Sequence, residues 1–289
     1  MSGPEGAGVL VLVATPIGNL GDLSPRARDA LAVADVVCCE DTRRTRALLS
    51  ACGLPSRPAR LVSLHGHNEA ARVPEVLAWL ANGRTIALVT DAGTPAISDP
   101  GARLVRAVTD AGFVVTEVPG PSAAVMALTL SGLDTERFCV EGFVPRKGAE
   151  RRRRLEALGA EQRTAVLFEA PGRVAALLAD LLAIVGDRPV ALCRELTKVH
   201  EEVWRGSLAR ALDAVAERPP VGEVVVVLGG AAPPPGPDDD AVRAAVADRL
   251  ARGDSTRQAA VAVAAALGVA RRRAYNEALS LREGPPGDD

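Results

Sequence analysis

The sequence predicts an α/β protein of two βα domains with mainly parallel sheet, followed by a small helical module. Three observations predict it. Short apolar, β-branched runs alternate with Ala/Leu-rich stretches from residue 9 to residue 228, the pattern of strands joined by crossover helices. Pro119-Gly-Pro121 interrupts the alternation midway, leaving one βα set on each side. Beyond Leu228 a Pro/Asp stretch gives way to an arginine-bearing helical pattern. The 289 residues suffice for this arrangement, since a domain takes about 100–200 residues.

The expected strands of the first set are Val9–Ala14, Asp35–Cys39, Arg60–Leu64, Thr85–Thr90 and Val114–Val118. Those of the second are Phe138–Glu141, Ala165–Glu169, Val190–Arg194 and Glu223–Leu228. Ser24-Pro25 and Asp99-Pro100 each put a capping residue before a proline suited to the first helical position, and Gly53, Gly83 and Gly112 fall where helices should stop. The first domain is thus placed at residues 1–118 and the second at 119–229. A semi-rigid linker of prolines and aspartates is placed at 230–240, and a helix-turn-helix-like module at 241–283. That module carries eight arginines against four acids; Ser255–Gly268 reads as a capped helix ending in glycine, and Val269–Leu279 as the helix after it. The layout suits a helix-turn-helix and equally a helical hairpin with a solvated charged face.

Charge and composition exclude several classes. With 34 Lys+Arg against 36 Asp+Glu, the chain lacks an overall basic excess, and its 2% aromatic content argues against stacking platforms for bases. No apolar run approaches the ~20 residues of a membrane helix. Met1–Gly8 lacks the basic start of a signal peptide; a soluble, cytoplasmic protein is expected. The five cysteines, Cys38, Cys39, Cys52, Cys139 and Cys193, show no metal-ligand spacing and read as buried small hydrophobes. No metal is expected.

Three loops have the composition to hold a ligand. Ala14-Thr-Pro-Ile-Gly-Asn-Leu-Gly-Asp22 follows the first strand but lacks both a dinucleotide fingerprint and a phosphate-loop lysine. Asp91-Ala-Gly-Thr-Pro-Ala-Ile-Ser-Asp-Pro-Gly101 combines glycines that allow close backbone approach with two carboxylates able to accept from a ribose diol or amino group. Asp99 has a competing reading as a helix cap. Pro119-Gly-Pro-Ser-Ala123 opens the second domain's first helix, across the expected interdomain cleft.

Together with Glu40-Asp-Thr-Arg43, His65-Gly-His-Asn-Glu69, Gly142-Phe-Val-Pro-Arg-Lys147, Phe168-Glu-Ala-Pro-Gly-Arg173 and Arg194-Glu-Leu-Thr-Lys-Val-His-Glu-Glu202, these loops resemble the small-subunit (16S) ribosomal RNA cytidine 2′-O-methyltransferases of the tetrapyrrole (corrin/porphyrin) methylase superfamily. The resemblance spans nearly the whole chain and departs at Gly66, where an acidic residue is common, and in the long linker. It implies a two-domain fold with S-adenosylmethionine in the interdomain cleft, a homodimer, and 16S rRNA in the small ribosomal subunit as partner. It implies cofactor contacts from Pro16, Asp91, Gly93, Pro95, Ser98, Asp99, Ser122 and Ala123.

Methylating a ribose 2′-hydroxyl requires alignment of oxygen, methyl and sulfur, and help in removing a proton. Only two of the 34 basic residues are lysines, Lys147 and Lys198, and both fall inside these motifs. Lysine, unlike arginine, can lose its charge when desolvated. Lys198 is the first candidate for a base or a hydroxyl-orienting group, although Glu195, Glu201 and Glu202 beside it can keep it protonated; Glu169 is the second. His65 and His67 read as polar loop or RNA contacts. Residues 137–163 carry eight basic side chains against four acids beside the expected cleft, so RNA phosphates are expected at Arg146, Lys147, Arg151 and Arg152, and also at Arg173 and Arg194. Arg43, Arg44 and Arg46 read equally as ion-pair partners.

Two other functions fit parts of the pattern. A precorrin-type tetrapyrrole methylase would share the fold but leave the basic stretches unused. A ligand-sensing DNA-binding regulator would use residues 241–283 as its reading head and the cleft as a sensor.

Overall fold

In the computed structural model, residues 6–54, 60–233 and 236–283 are described. The reading of Met1–Gly8 as lacking a leader falls largely, and that of the linker at residues 234 and 235, outside them. The chain divides into two compact units, Met1–Ala231 and Ala232–Asp289.

The first unit holds two five-stranded sheets. β1 (Val9–Val13), β2 (Val36–Cys39), β3 (Arg60–Ser63), β4 (Ile86–Val89) and β5 (Val114–Val118) form one, in the order β3-β2-β4-β1-β5, with every pairing parallel. α1 (Pro25–Val33) and α2 (Thr42–Ala51) send Ala27, Leu31 and Leu49 into the core on one face; α3 (Glu69–Ala81) and α4 (Ala102–Asp110) send Val76, Leu80, Leu104 and Val108 into the core on the other. Both faces being covered, the central strands are apolar throughout: β2 and β4 are buried at every residue. Ser24 caps α1, accepting from Ala27 N, with Pro25 at the first helical position. Gly53, Gly83 and Gly112 take positive φ just beyond α2, α3 and α4, where the chain must turn left-handed to leave a helix.

The second sheet runs β6 (Phe138–Phe143), β7 (Thr164–Glu169), β10 (Val224–Leu228), β8 (Pro189–Arg194), β9 (Glu202–Ser207). The sheet is mixed, although five of the eight pairings in the two sheets together are parallel, in keeping with the expectation of mainly parallel sheet. Within this second sheet only β6–β7 is parallel; β10 runs antiparallel between β7 and β8, and β9 pairs antiparallel with β8. The cause is connectivity, since the seven residues between β8 and β9 are too few for a crossover helix and must reverse the chain. β9 itself was not among the expected strands: Glu202-Val-Trp-Arg-Gly-Ser is a partly exposed edge strand without an apolar run. α6 (Gly148–Ala160), α7 (Val174–Val185) and α8 (Leu208–Glu217) cover one face. α5 (Ala123–Ser131) covers part of the other, together with Ile17 and Leu196, so the first βα turn is built into the second sheet's core.

The second unit is a three-helix module. α9 (Asp239–Ala251), α10 (Thr256–Leu267) and α11 (Arg271–Glu283) enclose Val242, Val246, Ala260, Val263, Ala274 and Ala278. Ser255 and Gln258 form a capping box, and Gly268 ends α10 in the left-handed region, as the sequence suggested. α9 begins inside the stretch read as linker, because Asp238 caps it by accepting from Ala241 N at 2.7 Å.

The five cysteines are free, and all but Cys139 are buried. No helix among the described residues is long and apolar enough to cross a membrane.

Candidate active site

Three loops at the carboxyl ends of β1, β4 and β5 are tied together by backbone and hydroxyl groups. Thr15 N donates to Gly93 O at 2.9 Å and Gly93 N to Thr15 O at 3.0 Å, joining the first loop to the second. Thr94 Oγ1 donates to Pro121 O at 3.2 Å, joining the second to the third. Within residues 90–101 the chain turns sharply enough to put Ala96 and Ser98 at φ of 68° and 62°, conformations that side-chain-bearing residues adopt only where surroundings enforce them. Glycine is favoured at Gly142 on β6, where φ is 67° and a Cβ would lie 2.9 Å from Ser98 Oγ.

The Asp99-Pro100 cap is corrected by the structure. α4 starts later, at Ala102, and its free amides are taken by a side chain from another helix: Glu69 Oε1 accepts from Gly101 N at 3.1 Å and Leu104 N at 2.9 Å. Asp99, relieved of capping, lines the cleft and accepts from the Thr90 hydroxyl at 3.2 Å. Burial raises its pKa, the Thr90 hydrogen bond opposing and the Asp91 charge adding. Burial, then the charges of Asp91 and Asp99, raise Glu40 likewise.

A cavity of about 380 Å³ opens between the loops and the second sheet. Gly93, Ser98 and Asp99 line it from the second loop, Ser122 and Ala123 from the start of α5, and Phe143, Phe168 and Glu169 from β6 and β7, with Gly222–Val225 opposite. The Phe143 and Phe168 rings meet at 5.6 Å between centroids. Glu169 is buried. Its Oε1 accepts from Ala170 N at 2.8 Å and pairs with Arg173, while Oε2 has no hydrogen-bond partner.

A second cavity, of about 330 Å³, lies alongside and shares Ile17, Ala92 and Glu223 as wall. Pro16, Gly18 and Leu20 line it from the first loop; Arg44, Thr45, Ala47, Leu48 and Ala51 line it from α2, and Asp91 and Lys198 complete it. Lys198 Nζ contacts Glu195 Oε1 at 2.8 Å and Glu223 Oε2 at 3.2 Å. Burial works against its positive charge, but the two carboxylates outweigh it and the pKa is raised. Lys198 is an ammonium at neutral pH. Asp91 is also engaged, by Arg44 at 3.0 Å and by Asp41 N at 3.2 Å.

The expected site residues therefore fall into groups. Glu169, Gly93, Ser98, Asp99, Ser122 and Ala123 share the first cavity; Lys198, Pro16 and Asp91 share the second. Pro95 is buried within the loop and lines neither. Among the residues expected to meet phosphate, Arg146, Lys147 and Arg152 are exposed without an ion-pair partner among the described residues. The others have partners. Arg151 bonds Asp180 Oδ2 through two nitrogens at 2.9 and 2.7 Å and Pro145 O at 3.1 Å, tying α6 to α7; Arg173 pairs with Glu169, and Arg194 with Glu202 at 2.9 Å. Arg194 borders a separate cavity of about 180 Å³ beside Trp204. His65 and His67 stack edge-on at 6.1 Å, and no cluster of three or more His, Cys, Asp or Glu suited to a metal occurs among the described residues. The Phe143–Phe168 pair and the Gly222–Val225 wall were not among the expected site residues; the usable signal for the rings was their place in the Gly142–Lys147 and Phe168–Arg173 motifs, whereas nothing local marks Gly222, which packs on the Glu195 side chain.

Residues 9–212 match the sequence family described as Tetrapyrrole (Corrin/Porphyrin) Methylases. A protein of Mycobacterium tuberculosis named ribosomal RNA small subunit methyltransferase I is 56% identical over 203 residues, covering 70% of this chain and 71% of that one. One of the same name from Synechocystis is 43% identical over 277 residues, covering 95% and 98%. Among solved structures, the methyltransferase CobJ superposes with a TM-score of 0.59 at 20% identity over 78% of this chain and 95% of that one. Uroporphyrin-III-C-methyltransferase from Thermus thermophilus gives 0.53 at 24%, over 77% and 94%. At these identities the structural likeness concerns the fold alone.

Proposed function

The chain belongs to the tetrapyrrole (corrin/porphyrin) methylase family, with relatives named as small-subunit ribosomal RNA methyltransferases, and from this premise we propose that it transfers a methyl group from S-adenosylmethionine to the 2′-hydroxyl of a cytidine in 16S rRNA of the small ribosomal subunit. The observation that carries the reading is the pair of adjoining cavities with a common wall, one suited to a methyl donor and the other holding an ammonium. A homodimer in the cytoplasm is part of the same reading.

The first cavity fits the donor in size and chemistry. Its about 380 Å³ falls in the range of about 300–1,000 Å³ usual for small-molecule sites. The paired Phe rings offer an apolar face, Ser122 a hydroxyl, and the unpartnered Glu169 Oε2 a hydrogen-bond acceptor suited to an amino-bearing ligand. When bound, S-adenosylmethionine supplies an electrophilic methyl whose carbon–sulfur bond breaks with the electron pair remaining on sulfur.

The residues of this chain do the rest. Gly93, Ser98, Asp99, Ser122 and Ala123 hold the donor, with Glu169 as acceptor beside them. Pro16, Asp91 and Pro95 shape the loops around it. Lys198, being protonated, orients the ribose hydroxyl by donating to its oxygen, which lowers the hydroxyl pKa and helps its proton pass to water as the oxygen–carbon bond forms. Positioning of this kind is worth up to about 7–11 kcal/mol. Arg146, Lys147 and Arg152 supply phosphate contacts, joined by the exposed arginines of α10 and α11, Arg257, Arg271 and Arg272.

The test is incubation of the purified protein with methyl-labelled S-adenosylmethionine and, in parallel, assembled small subunits, naked rRNA and a tetrapyrrole. Label in a nuclease-resistant dinucleotide from the subunit is the expected result. Donor binding without transfer to any RNA would refute the proposal.

A further inference from the structure

We infer that the cavity between α2 and Lys198 is the acceptor-nucleotide subsite, taking one pyrimidine nucleotide of single-stranded or extruded RNA with a phosphate at Arg44. The inference deepens the methyl-transfer reading and rests on it. Its starting point is the common wall. Ile17, Ala92 and Glu223 border both cavities, so a group in one is the immediate neighbour of a group in the other, as in-line transfer requires.

The lining fits a nucleotide part by part. Ile17, Leu20, Ala47 and Leu48 form an apolar surface for the faces of a base. No aromatic ring among the described residues lines the cavity, so the base packs against aliphatic groups instead of stacking, and a small pyrimidine loses less by this than a purine does. Its about 330 Å³ has room for one nucleoside and none for a duplex. The RNA must therefore present that nucleotide out of its helical stack.

Arg44 stands at the mouth. Its side chain is 63% exposed and meets Asp91 Oδ2 at 3.0 Å. Arg44 meets Asp91 through Nη1 alone, so a phosphate can accept from the other guanidinium N–H groups without the pair being broken. Lys198, 28% exposed, faces the same space. One cation at the mouth for a phosphate and one deeper for the hydroxyl reproduces the order of groups along a nucleotide.

Ala47 and Ala51 provide a test that leaves the charges untouched, because both are exposed on α2 and their side chains border the cavity. In the full-length protein, Ala47→Trp and, independently, Ala51→Phe should bind S-adenosylmethionine within threefold of wild type, measured by calorimetry. Their kcat/KM for methylating small subunits should fall at least 30-fold. Arg44→Gln should lose about tenfold, chiefly in KM. Cytidine 5′-monophosphate, added with S-adenosylhomocysteine, should shift resonances of α2 in wild type and not in Ala47→Trp. Wild-type kcat/KM in a folded Ala47→Trp or Ala51→Phe protein would overturn the inference while leaving the methyl-transfer reading in place. A wild-type enzyme that methylates no RNA would instead remove the reading beneath it.

Discussion

Gly18 and Lys198 are in such close contact that a Cβ on Gly18 would lie 2.4 Å from Lys198 Cγ and 2.7 Å from Thr197 Oγ1. The first βα turn of one sheet is thereby moulded onto the β8–β9 loop of the other, and Asn19 N strengthens the seam by donating to Thr197 Oγ1 at 3.1 Å. Gly18→Ala should push the lysine out of place while leaving the first cavity untouched. We expect kcat for methyl transfer to fall by about tenfold or more, since displacement by about 1 Å can cost up to about 10²-fold. Donor affinity should stay within threefold. Equal losses in kcat and donor affinity would show that the glycine serves the loop generally and not Lys198.

Lys198 is held as an ammonium, so its chemistry should be that of a fixed cation. Removing one donor to a developing oxyanion typically costs about 10²–10³-fold; Lys198→Ala should lose turnover on that scale with little change in donor affinity. Between pH 6.5 and 9 the wild-type kcat should show no limb from Lys198, because its pKa is raised above the ordinary 10.5. The matching stability term has a definite sign. It is fully present below the unfolded lysine's pKa and is lost as pH rises through the higher folded value. Its partner Glu195, whose pKa is lowered by the Lys198 hydrogen bond and then by Glu223 N, contributes above the ordinary carboxylate pKa and loses that contribution as pH falls through its folded value. A kcat limb near neutrality that vanishes in Lys198→Arg would show instead that the lysine must deprotonate.

Glu69 caps α4 from α3, and its replacement tests how far the second loop depends on that cap. Glu69→Ala leaves two buried amides without an acceptor, at a cost of about 1–3 kcal/mol. Urea denaturation should show a lower midpoint with unchanged slope. Glu69→Gln, which keeps an acceptor oxygen, should recover part of the loss. A Glu69→Ala protein as stable as wild type would mean that water replaces the carboxylate at α4.

What could be read in the chain depended on range. Ser24-Pro25, Gly53, Gly83, Gly112 and the Ser255–Gln258 box act within a turn of themselves, and each does what its local pattern says. The cap of α4 comes instead from Glu69, more than thirty residues before it, and no local pattern marks such a partner. Strand direction was hidden for the same reason: β10 is as apolar as a parallel core strand, and only its placement between β7 and β8 makes it antiparallel. At the site, the sequence marked the three loops and the two unusual lysines. The division of the marked residues between two cavities, and the commitment of Arg151, Arg173 and Arg194 to carboxylates, arise from tertiary contacts alone.

The basic stretch around α6 should separate experimentally into structural and RNA-facing residues. Arg151 is 13% exposed and spends its donors on Asp180 and Pro145 O, so Arg151→Ala should lower stability by about 1–3 kcal/mol through lost charge-assisted hydrogen bonds. Arg152 and Arg153 are exposed and without ion-pair partners among the described residues. Arg152→Ala and Arg153→Ala should leave stability unchanged and weaken small-subunit binding. A cation that displaces counterions from phosphate also steepens the salt dependence of binding. Each of these two substitutions should therefore reduce the slope of log affinity against log salt by about 0.7–0.9. Binding titrations over a range of salt concentrations check this directly. An unchanged slope in the double variant would assign α6 a solvated face and leave Arg146, Lys147 and the three-helix module as the remaining phosphate contacts.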